Sequence, residues 1–149
     1  MQATDILQTY LDVVSRAVLT DDWDAFCNSI SLPCHIITLN EDKIVTKVED
    51  LKAGFDQFVD SLRAQRVTHY IRLVESATLQ ESDVISGHYI THLIAGSIRV
   101  MQPLRSKITL QLIGNRWCAV SVSTVLTISR WPLVQLEINP DTPPEGPLE

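Results

Sequence analysis

Residues 88 to 92 read His-Tyr-Ile-Thr-His. On a helix, side chains four apart lie on one face about 6 Å from each other, so two imidazoles at that spacing can share a metal ion. The surrounding stretch "DVISGHYITHLIAG" is rich in β-branched and aromatic residues and reads as a strand. On a strand the two rings would point the same way but stand about 13 Å apart, at roughly 3.3 Å per residue. Each zinc–nitrogen bond spans about 2 Å, so one ion cannot bridge them. The glutamate that a helical zinc motif needs after the first histidine is replaced by Tyr89. No metal site is expected.

A strand instead produces two rows. His88, Ile90, His92 and Ile94 share one face; Tyr89, Thr91, Leu93 and Ala95 share the other. An imidazole lining a small-molecule pocket titrates near neutrality and suits proton transfer. Parity alone does not say which row faces such a pocket. Tyr10 could add a hydroxyl donor from the first helix, although an aromatic at that spacing also serves as core. Trp23 and Trp117 read as packing residues, and Arg99 and Arg105 as rim charges. No glycine-rich phosphate loop, serine-centred elbow or carboxylate pair is present in the sequence.

These groups need elements to hold them. Ile6, Leu7, Tyr10, Leu11, Val14 and Val18 recur at steps of three and four, which predicts a helix from Thr4 to Leu19 capped by Thr4 or Asp5. "TDDWDAF" restarts a short helix, with Thr20 or Asp21 as cap and Pro33 as its stop. "CHIITLN" and "KIVTKV" flank a Glu41-Asp42 turn as a hairpin. Thr46 and Glu49 stand at capping-box spacing before a third helix, along which Leu51, Phe55, Phe58 and Leu62 form a stripe. After Gln65, four segments alternate with period two and predict long antiparallel strands. Helices followed by strands give an α+β plan: three helices packed on a curved, mainly antiparallel sheet. The strands outrun the helices, so part of the oily face should remain as an internal pocket.

The bulk properties bound the function classes. The 149 residues suffice for one domain, assigned to 1–130, with a Pro-rich extension over 131–149. A net charge of −6 opposes binding to nucleic acid or anionic membranes, and neither is an expected partner. No apolar run is long enough to span a bilayer and no basic leader precedes Asp5, so a cytoplasmic location is expected. Cys27, Cys34 and Cys118 match no zinc spacing and read as reduced thiols.

With these elements in place, the chain resembles the SnoaL-like branch of the nuclear-transport-factor-like superfamily, over about residues 4 to 128. The resemblance rests on the order of elements and on "DDWDAF", "VTHYI" and "ESDVISGHYITH". It implies a cone-shaped fold, a homodimer through the outer sheet face, and no cofactor. It is similar more distantly to scytalone dehydratase, whose water-ordering histidine would match His69, with His88, Ile90, His92 and Ile94 inside. The dehydratase's late helix-one acid and tyrosine would fall on Leu19 and Val18, which cannot do that work. In ketosteroid isomerase the general base would match Thr38 and the acidic oxyanion donor Ile108, so that mechanism is not available either.

The combined expectation is a small-molecule pocket protein for a hydrophobic, cyclic ligand, with the alternative of a non-catalytic dimerisation or partner-binding module. Any reaction would be metal-free acid–base chemistry by His69, His88 or His92 with Tyr10. Trp23, Thr38, Phe55, Phe58, Ile90, Ile94, Ile108, Leu110, Val120 and Val122 are the expected ligand contacts.

Overall fold

The computed structural model describes residues 2–37 and 42–124. Thr38 and the 131–149 extension lie outside the described residues. Helices α1 (Ala3–Leu19), α2 (Trp23–Asn28) and α3 (Val48–Ala64) accompany strands β1 (Ile30–Ile37), β2 (Asp42–Val45), β3 (His69–Gln80), β4 (Val84–Ala95), β5 (Ile98–Arg99), β6 (Leu104–Ile113) and β7 (Arg116–Thr124). The strands make one curved sheet in the order β2-β1-β7-β6-β4-β3, with β5 paired to β4. Every pairing is antiparallel except β1 with β7. The expected α+β architecture is present, and none of its helices is long and apolar enough to cross a membrane.

The helix starts differ from the expected caps. α1 opens at Ala3 behind Gln2, so Thr4 and Asp5 lie within its first turn, where Asp5 complements the helix dipole. Asp22, not Thr20 or Asp21, caps α2 by accepting from the Ala25 N–H at 3.2 Å. α3 begins behind Lys47 without a side-chain cap, so the Thr46 capping box does not form. Pro33 lies inside β1 rather than ending α2. It falls in the stretch between Ile30 and His35 where the pairing with β7 shifts register, a place where a missing N–H is harmless.

Curvature has visible causes. Glu75 interrupts the β3–β4 register between Val74 and Ser76, and Val120 is the extra residue where β7 slips against β6. The concave side takes α1 and the buried stripe of α3, including Leu51, Phe55, Val59 and Leu62. α1 buries Leu7, Tyr10, Leu11, Val14 and Val18, chiefly over β3.

The closest approach is over Gly87 of β4. A Cβ there would stand 2.6 Å from Leu7 Cδ2 and 2.7 Å from the Ser76 carbonyl oxygen. The backbone contact cannot be relieved by turning a side chain, so any larger residue lifts α1 or spreads β3 from β4. Gly87→Ala is expected to destabilise the fold by about 1–3 kcal/mol. Urea unfolding would measure this, and an unchanged midpoint would contradict the close contact.

Candidate functional site

The strand rows face opposite to the sequence expectation. Ile85, Gly87, Tyr89, Thr91 and Leu93 are the buried, helix-facing row of β4. His88, Ile90, His92 and Ile94 therefore stand on the outer, convex face. On β3 the same alternation sends Tyr70 and Arg72 inward and His69 outward. The three candidate histidines do not enter the interior. His69 Nδ1 is 2.8 Å from Thr68 Oγ1, His88 Nδ1 is 3.4 Å from Ser76 Oγ, and Arg99 donates to His92 Nδ1 at 2.7 Å. The last bond requires a neutral His92 ring. Arg105 also lies outside, in a bidentate pair with Glu75 at 2.7 and 2.9 Å. That pair holds the Glu75 carboxyl below its ordinary range, mainly through the hydrogen bonds from Arg105.

Between helices and sheet lies a chamber of about 90 Å³, lined by Tyr10, Val14, Phe26, Ile30, Cys34, Ile36, Val45, Leu51, Phe58, Tyr70, Arg72, Tyr89, Ile108, Ala119 and Val122. Of the expected contacts, Phe58, Ile108 and Val122 line it, as does Tyr10, the expected hydroxyl donor. Phe55 and Leu110 are core residues behind its wall. Trp23 stacks outside it, with ring centroids 5.4 Å from Phe55 and 6.1 Å from Phe26. Ile90 and Ile94 face away, and Val120 sits at the bulge. A wider, open cleft of about 530 Å³ adjoins, with Tyr10 and Val14 as shared walls and Ile6, Val13, Asn28, Arg116 and Trp117 beyond.

The polar end of the chamber is Arg72, which no sequence pattern singled out. It is 7% exposed. Its Nε donates to Ser15 Oγ and its Nη2 to the Leu11 carbonyl, both at 3.0 Å. Its guanidinium carbon lies 4.8 Å from the Tyr70 ring centroid and 5.5 Å from that of Tyr89. Among the described residues no carboxylate pairs with it. Burial works against the Arg72 charge, but Tyr70, Tyr89 and Tyr10 outweigh burial and its pKa lies above the ordinary arginine value.

Tyr10, Tyr70 and Cys34 are pushed towards their protonated forms. Burial raises Tyr70 to about 12 and Cys34 to about 11. It raises Tyr10 further still, against a hydrogen bond to Ser29. Tyr10 Oη donates to the Ser29 carbonyl at 2.7 Å, and the Ala119 N–H donates to the same oxygen at 2.9 Å. The Tyr10 proton is thus spent on a structural link between α1, the end of α2 and β7.

No family model and no curated protein sequence matches the chain. Solved structures do. A Nostoc punctiforme domain of unknown function with a cystatin-like fold superposes with a TM-score of 0.65 at 9% identity, covering 85% of this chain and 78% of its own. A protein of unknown function from Shewanella oneidensis, described as NTF2-like, gives 0.61 at 10%, covering 84% and 100%. The fold is NTF2-like. A candidate ketosteroid isomerase from Shewanella frigidimarina gives 0.59 at 12%, covering 78% and 91%. At these identities the likeness concerns the NTF2-like fold alone; the chamber of this chain has to be read from its own residues.

The chain holds three tyrosines, and all three line the chamber. Phenolate absorbance therefore reports on this site alone. Tyr10 and Tyr70 hold their protons in the folded state after an unfolded chain, titrating near the ordinary 10.0, has released them. The stability they contribute is complete below that value and is lost as pH rises through about 12 for Tyr70. Phenolate should appear later in folded than in denatured protein, and the melting temperature should fall across that window. Superimposable titrations would mean that the chamber is open to water.

Proposed function

We propose that this chain is a pocket protein that binds a small hydrophobic molecule in the chamber beneath α1, in a cytoplasmic setting. The observation that carries the reading is an apolar enclosure with a single charged group, Arg72, in its wall. Few polar groups in an oily cavity are the usual make-up of a small-molecule site.

Two features shape the ligand and the chemistry. An apolar cavity of about 150 Å³ accepts benzene. A chamber of about 90 Å³ suits a smaller guest, and a ring-bearing ligand would have to be housed by the adjoining cleft. Tyrosine and cysteine are protonated at neutral pH to begin with, and burial moves Tyr10, Tyr70 and Cys34 further that way. The described lining thus offers hydrogen-bond donors and no base. Histidine-driven dehydration or isomerisation in this chamber has no geometric support, and binding is the favoured activity.

A thermal-shift screen of compact apolar compounds tests this. Hits should raise the melting temperature of wild type and of His69→Ala equally, because His69 is on the far face. They should not raise that of Val122→Phe, which fills the chamber. A screen with no hits, or hits that persist in Val122→Phe, would end the reading.

A second reading is favoured by the convex face. Ile71 and Leu73 of β3 are 38% and 50% exposed, next to Ile90 and half-buried Ile94 of β4. Aliphatic side chains grouped on an open sheet face suit a homodimer interface. Light scattering after size exclusion should give twice the monomer mass, reduced to a monomer by Leu73→Asp. A wild-type monomer at micromolar concentration would remove this reading.

A further inference from the structure

We infer that the ligand of the chamber is a monocarboxylate with a short aliphatic body, its carboxylate seated on Arg72. The inference rests on the proposed pocket function and adds the chemical class of the guest.

The charge balance points to an anion. Arg72 is inside the protein and lines the chamber, yet no carboxylate among the described residues answers it. A desolvated cation without a counter-ion is costly, and a guest that brings one negative charge removes that cost. The donor inventory agrees. A guanidinium has five N–H groups. One is taken by Ser15, one by Leu11, and the Tyr89 hydroxyl accepts a third. At least two therefore have no partner among the described residues. Two spare N–H groups on a planar fork match the two oxygens of a carboxylate.

The tyrosines narrow the class further. Tyr10 is committed to the Ser29 carbonyl, but no acceptor among the described residues takes the Tyr70 or Tyr89 hydroxyl proton. Protonated phenols beside a cation donate to an anion and do not compete with it for the charge. A single guanidinium neutralises one charge, which disfavours dianions such as phosphate monoesters. The rest of the guest meets Val14, Ile36, Ile108 and Val122 in about 90 Å³, less room than a benzene-binding cavity and enough for a few carbon atoms.

Propionate and its uncharged isostere propionamide are the probes, with calorimetry and thermal shift on the full chain at neutral pH. Propionate should bind about ten- to a hundred-fold more tightly, because only the acid answers the Arg72 charge with one of its own and accepts through two equivalent oxygens. The preference should vanish in Arg72→Gln through weaker binding of the acid, with amide binding unchanged. Arg72 also ties β3 to α1, so Tyr89→Phe serves as a second variant: it should lower acid affinity more than amide affinity. The wild-type comparison needs no variant at all. Equal binding of acid and amide to wild type overturns the carboxylate inference and leaves the apolar pocket standing. Acid binding that is unchanged in both variants overturns it as well, since the acid is then bound elsewhere. If neither probe binds, the inference and the pocket function fall together.

Discussion

A guanidinium set into a dry layer has to be held from several sides, and the interior of this molecule is organised around doing so. Arg72 enters from β3, yet it donates hydrogen bonds to α1: to the Ser15 hydroxyl and the Leu11 carbonyl. A carbonyl in mid-helix normally serves the N–H four residues on, so Arg72 takes the second lone pair of a group already bonded. Gln8 makes the same crossing nearby. Its amide nitrogen donates to the Arg72 carbonyl at 2.7 Å while its oxygen accepts from the Val74 N–H at 2.9 Å. α1 is therefore fixed to β3 by directional bonds on both sides of the Arg72 backbone, and the apolar stripe Leu7, Leu11, Val14 and Val18 supplies the burial that bonds alone would not. A helix so tethered cannot settle deeper into the sheet, which is how a space survives beside it.

Both faces of β3 and β4 are mixed. Inward go Ile85 and Leu93 but also Tyr70, Arg72 and Tyr89; outward go His69, His88 and His92 but also Ile71, Leu73, Ile90 and Ile94. A monomeric sheet would ordinarily wet the arginine and cover the aliphatic side chains. The mixture is tolerable only if the inner row finds partners for its polar tips and the outer aliphatic side chains find cover. The first condition is met in part by α1 and by the tyrosine rings around the guanidinium. The second would be met by the homodimer proposed above.

That mixture of faces also marks the boundary of what could be read from sequence. The α+β plan, the three helices, the β1–β2 pair and the long C-terminal strands follow from periodicity, because burial on one face leaves a regular trace. The amphipathic stripe of α3 was legible down to Leu51, Phe55 and Leu62 for the same reason. The caps were not: Gln2 and Lys47 open their helices without a side-chain bond, and tertiary packing sets those boundaries instead. The facing of the histidines was not legible, for a definite cause. Histidines at 69, 88 and 92 alternate with residues no more apolar than their own neighbours, so hydrophobicity did not distinguish the faces. Arg72 was the available signal. A lone arginine that shares its parity with Tyr70 and Val74 and sits between Ile71 and Leu73 is a charge among apolar neighbours, and such a misfit marks a functional position more reliably than a familiar residue pair does.

The chemistry that the chamber supports follows from what its polar groups have in common. Tyr10, Tyr70, Cys34 and Arg72 are all proton-bearing at neutral pH, and burial makes Tyr10, Tyr70 and Cys34 weaker acids and poorer candidates to become bases. Donors gathered round a cation stabilise negative charge that is already present, but they cannot create it by taking a proton. An imidazole in the same wall would have changed this, since it alternates between donor and acceptor near neutrality. The fold is NTF2-like, while the histidines of β3 and β4 are turned outward. On the proposed reading, those inward donors suit an anion or an electron-rich oxygen held as a ligand.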